Sequence, residues 1–135
     1  MNAAEMELHD LAGALVALLR RLRGQVKEQE GCVFAAYTAQ EYLGDTIGNI
    51  EDVQAALSRA NEVSRRDASA FASRAGVSMI QAGKSLAVAA KEVPGLTGIA
   101  HDFEDALQAV TALGTYFRHR LYCSNHTDTQ TGVLN

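Results

Sequence analysis

Lys91-Glu92-Val93-Pro94-Gly95-Leu96-Thr97 contains the single proline of this 135-residue chain. Proline lacks an amide hydrogen and pushes its predecessor out of helical geometry, so a helix is expected to end at Val93. Gly95 suits a sharp reversal, and Thr97 is a candidate N-cap for a new helix. On both sides of this break the chain reads as helix. Alanine is abundant, tryptophan is absent and aromatic residues make up only 6%. Alanine is the best helix former, and nowhere do four β-branched residues alternate with polar ones between turn signals. The fold class that follows is all-α.

After the proline, Ile99, Phe103, Ala106, Val110, Leu113 and Phe117 recur at alternating steps of four and three. That spacing is a heptad seam, the coiled-coil style of packing. Asp102, Glu104 and Asp105 open this helix and Arg118, His119 and Arg120 close it, an order that suits the helix dipole. Residues 124–135 read as a flexible polar tail behind a helical domain of residues 1–123.

Before the proline, Phe71, Ala75, Met79, Ala82, Leu86, Ala89 and Val93 form a stripe in which alanine alternates with larger apolar residues. At the amino end, Asn2 and Glu5 have capping-box spacing, with Met1 and Met6 as the accompanying staple. Leu8, Leu11, Leu15, Leu18 and Leu22 then form a seam. Gly31 marks one stop, Gly44–Asn49 a weaker one, and the polar run Ser64-Arg65-Arg66-Asp67 another. The expected architecture is an up-down bundle of four helices over about 2–30, 33–64, 67–93 and 98–122. The alternative makes 46–93 one rod of roughly 70 Å, giving a long helical hairpin plus a third helix.

The length suits one domain, and 47% hydrophobic residues are enough to cover a core. A formal charge of −4 argues against a general nucleic-acid binder. The acidic start is unlike a signal peptide, and Leu11–Leu19 falls short of the about 20 residues that span a bilayer. A soluble chain is expected, cytoplasmic or secreted without a cleaved signal. In a four-helix bundle Cys32 and Cys123 belong at opposite ends, too far apart for an internal disulfide, which needs Cα atoms within about 7 Å.

Few constellations carry chemistry. His9, His101, His119 and His126 lack metal-ligand spacing, so no metal or cofactor is expected. Gly83-Lys84-Ser85 ends like a phosphate loop, but no glycine stands five residues earlier. Arg20-Arg21-Leu22-Arg23 reads as the solvated basic end of a core helix. Arg120-Leu-Tyr-Cys-Ser-Asn-His126 resembles the motif of the HEPN ribonucleases, with Leu121 where that motif usually has a polar residue. The resemblance implies a helical bundle that cleaves RNA through Arg120 and His126. Tyr37 and Glu41 resemble the Y-x-x-x-E pattern of helical-hairpin substrates of a type VII-like export system, without its Trp-x-Gly turn. That likeness implies a secreted bundle or its chaperone-like partner.

The strongest positive lead is the run of small residues. Gly76 and Gly83 lie a heptad apart among alanines, and such faces let helices approach closely. The expected function is a non-enzymatic interaction or assembly protein: a homo-oligomer, filament subunit or adaptor. It would pack against itself or another helical protein. The residues expected to carry this are Ala72, Gly76, Met79, Gly83 and Leu86, with Phe117 on the terminal seam.

Overall fold

A computed structural model describes residues 1–29, 33–59 and 61–134, with side chains described as far as residue 119. Four helices follow one another: α1 Ala3–Gln29, α2 Phe34–Arg59, α3 Glu62–Glu92 and α4 Leu96–Leu134. Each packs on the next, and α4 returns to α1, while the backbones of the diagonal pairs stay apart. The cross-helix pairs run in opposite senses. Arg20 meets Glu51 while Gln54 meets the carbonyl of His9, and Gly83 faces Phe103 while Gly114 faces Ala72. This is the expected up-down four-helix bundle, and no strand occurs among the described residues.

The core explains why each sequence forms its helix. In α1 the buried row is Leu8, Ala12, Leu15, Leu19, Leu22 and Val26. Leu8, Leu15 and Leu22 of the expected leucine ladder belong to this row, while Ala12 and Leu19 stand in it in place of Leu11 and Leu18. Leu11 is 44% exposed, and Ala12 beside it is fully buried. On α3 the buried residues are Ser64, Ala68, Ala72, Ala75, Met79, Ala82, Leu86 and Ala89. Mostly methyl-sized groups line this face, so α2 and α3 form the most extensive pairing in the bundle. At its middle the Thr46 and Ser78 hydroxyls lie 2.9 Å apart. Thr46 donates to the Tyr42 carbonyl at 2.9 Å, so this buried polar group is satisfied.

Three expected boundaries move. The α2–α3 break lies at Asn61, not within Ser64–Asp67. The Asn61 side chain accepts from the Ser64 amide at 2.8 Å, and the Ser64 hydroxyl accepts from the Asn61 amide at 3.0 Å. Ser64 is thus a polar residue on a core position because it closes a capping box. The break also removes the single rod over 46–93. The expected stop at Gly44–Asn49 is absent, since α2 runs through it with Leu43, Ile47, Ile50 and Val53 buried. Burial along this row outweighs the about 1 kcal/mol that a glycine costs in a helix. Third, α4 begins at Leu96 instead of 98. The Leu96 amide donates to the Val93 carbonyl at 3.0 Å and the Thr97 amide to that of Pro94 at 3.2 Å. Leu96 is fully buried and anchors the turn. The expected disulfide geometry rests on Cys32 and Cys123, which fall outside the described residues and side chains. The side chains of the expected tail at 124–135 are also outside them, while its backbone through Leu134 continues α4.

At the amino end, the Glu5 amide donates to the Asn2 side chain at 2.8 Å, as the capping spacing predicts. The Glu5 carboxylate does not close the box. Its Oε1 instead accepts from Arg65 of α3 at 3.0 Å, with Glu5 9% and Arg65 47% exposed. Met1 and Met6 remain about half exposed at 50% and 54%. Arg66 pairs with Glu62 at 3.2 Å, but both of those side chains are open to solvent. Arg65→Ala is therefore expected to cost about 1–3 kcal/mol, because it strands a buried carboxylate. Arg66→Ala is expected to cost under about 0.5 kcal/mol. Urea titrations of both variants check this order, and equal costs would contradict it.

Candidate interaction surface

The structure separates the residues expected to carry assembly. Ala72, Met79, Leu86 and Phe117 are at most 6% exposed, and all belong to the chain's own core. Gly83 faces α4: a Cβ placed there would meet the Phe103 ring at 2.9 Å. The glycine is a seat for an internal aromatic residue. Gly76 is the exception, with open space where a Cβ would stand. The small residues of α3 are thus consumed mainly by internal packing, and an outward surface must come from other positions.

Two neighbouring features supply one. On α3, Val77 is 63% exposed, Ile80 48% and Val88 53%. Ile80, Gly83, Leu86, Ala87, Ala100, Phe103 and Leu107 line a shallow groove between α3 and α4, with Lys84 of α3 and Glu104 of α4 at the same groove. On α4, Leu107, Thr111, Ala112, Thr115 and Tyr116 line an apolar strip that meets this groove at Leu107. Along α4, Ala106–Phe117 is twelve residues without Asp, Glu, Lys, Arg or His, the longest such run in the chain.

Solvent-facing helix surfaces normally carry charge. Here Gln108, Thr111, Ala112, Thr115 and Tyr116 are all exposed, and none is charged. Gln108, Ala112 and Thr115 stand at steps of four and three, a second heptad row on the side of α4 opposite its buried seam. The signal was present in the sequence as a charge gap. Gln108, Thr111 and Thr115 are uncharged but polar, so this outer row carries no hydrophobic periodicity of its own beside the apolar seam Phe103–Phe117.

Charges border this bare strip. Asp102, Glu104 and Asp105 are exposed before it, and Arg118 after it. Arg118 donates to the Thr115 hydroxyl at 3.3 Å. Glu104 and Asp105 form no ion pair among the described residues.

Among the described residues, no three His, Cys, Asp or Glu side chains gather where they would hold a metal ion. No described helix is long and apolar enough to cross a membrane. The α2–α3 groove is lined by Asp45, Asn49, Asp52, Arg74 and Gln81 and is wide open to solvent. Arg120 and His126 lie on the backbone of α4, and their side chains fall outside those described. Comparison of the chain with family models, with curated proteins and with solved structures finds no match.

Proposed function

We propose that this chain is a non-enzymatic assembly protein that works by helix packing, through the outward face of α4 and the adjoining α3 groove. One observation carries the reading: the exposed strip Gln108–Tyr116 lies within the longest run of the chain without Asp, Glu, Lys, Arg or His. Leaving such a strip in water forfeits hydrophobic stabilisation of about 25 cal/mol per Å² of apolar area, which a second helix would recover.

The site for packing is displaced from the Gly76–Gly83 face anticipated from the sequence to positions one helix over. Ala112→Glu tests it. Ala112 is exposed, so a charge there leaves the core intact. The expected result is an unchanged melting temperature with association lost, read by light scattering across a concentration series. If the variant associates as the unsubstituted chain does, the strip is not the interface.

A further inference from the structure

We infer that the occupant of the α4 strip is the α4 strip of a second copy, lying antiparallel about a two-fold axis near Ala112. This rests on the assembly reading above and commits it to one partner. Charge complementarity singles out that partner. The strip is acidic at one end, with Glu104 and Asp105, and basic at the other, with Arg118. A surface ordered acid, neutral, base is complementary to itself only when the second copy is reversed. A parallel copy would set acid against acid and base against base.

The register follows from the same residues. Ala112 lies near the middle of the uncharged run, and Glu104 and Arg118 flank it. They stand two heptads apart, about 21 Å along the axis, so they occupy the same edge of the helix. In an antiparallel pair, residues on one edge face the same edge of the other helix. Glu104 of each copy therefore meets Arg118 of the other. The two-fold axis makes this pairing occur twice, the self-complementary arrangement of an isologous dimer. Alanine at the axis lets the backbones close to the about 8–10 Å of packed helices, with Gln108 and Thr115 on either side.

The helix dipole does not account for these charges. Its influence fades within the terminal turn, while α4 continues from Arg118 to Leu134. The contact is small. One helix pair buries less than the about 1,200 Å² of a standard interface, so the dimer dissociates on dilution.

Charge reversal tests the register, because Glu104 and Arg118 are exposed and their replacement spares the core. Glu104→Lys sets two like-charged pairs across the interface, as does Arg118→Glu. Each is expected to raise the dimer dissociation constant about tenfold by sedimentation equilibrium. The double variant, Glu104→Lys with Arg118→Glu, restores opposite charges in both pairs and is expected to return the constant to within about threefold of the original. Association unaffected by the single reversals, or not rescued by the double one, overturns the antiparallel α4 pairing while leaving assembly through another face standing. A chain that stays monomeric throughout, without any substitution, overturns both.

Discussion

Phe103→Ala is expected to destabilise the fold by about 3–5 kcal/mol, a large share of the about 5–15 kcal/mol that holds a domain together. Phe103 is 4% exposed and its ring lies over Gly83 of α3. The close approach of α3 and α4 at this point is built from a large ring and the absence of a side chain. Gly83→Ala alone pits about 1 kcal/mol of helix preference against a contact at 2.9 Å with Phe103 Cε1. Overpacking of that kind costs about 1–3 kcal/mol, so the substitution is expected to be destabilising. In the Phe103→Ala background the obstacle is gone, and the same substitution is expected to stabilise by about 0.5–1 kcal/mol. The change of sign, read from urea titrations of the four chains, is the signature of direct packing. The same sign in both backgrounds would contradict it.

The second large effect belongs to the α2–α3 seam. Ala75, Ser78 and Ala82 form one row on α3, with Ala75 and Ala82 fully buried and the Ser78 hydroxyl against Thr46 of α2. Two leucines in this row, Ala75→Leu with Ala82→Leu, must force the helices apart. Each is expected to cost about 1–3 kcal/mol, together on the order of 4 kcal/mol, and the Thr46–Ser78 contact would open. Circular dichroism should still show helix at low temperature, since leucine is itself a good helix former. The melting transition should move down by tens of degrees. A transition within a few degrees of the original would show that this row is not closely packed.

Most of the fold is legible in the sequence because helices announce themselves by periodicity and punctuation. Pro94 and Gly95 mark the last turn, and the seam Phe103–Phe117 is buried as its spacing predicts. The failures have physical causes. Ser64 looked like an interruption of the core pattern because a buried serine is polar, yet its hydroxyl and amide are both engaged by Asn61. Gly44 and Gly48 looked like a stop, yet the buried row on the opposite side of α2 continues past them. Leu11 is exposed and Ala12 buried although leucine is the more hydrophobic, because the buried row of α1 passes through position 12.

The interaction surface was the least legible part. Small residues permit close packing without saying whether the neighbour lies inside or outside the chain. For Ala72, Met79, Leu86 and Phe117 the neighbour lies inside. What marks an outward contact is the reverse pattern, exposed positions where charge is expected and missing, as along Gln108, Ala112 and Thr115.

The account turns on whether this bundle pairs with itself, and the mass of the unsubstituted chain as a function of its concentration tests that most directly. Sedimentation equilibrium is expected to show 14.4 kDa at high dilution, rising toward twice that value and no further as concentration increases. A mass fixed at 14.4 kDa up to millimolar concentration would contradict the account.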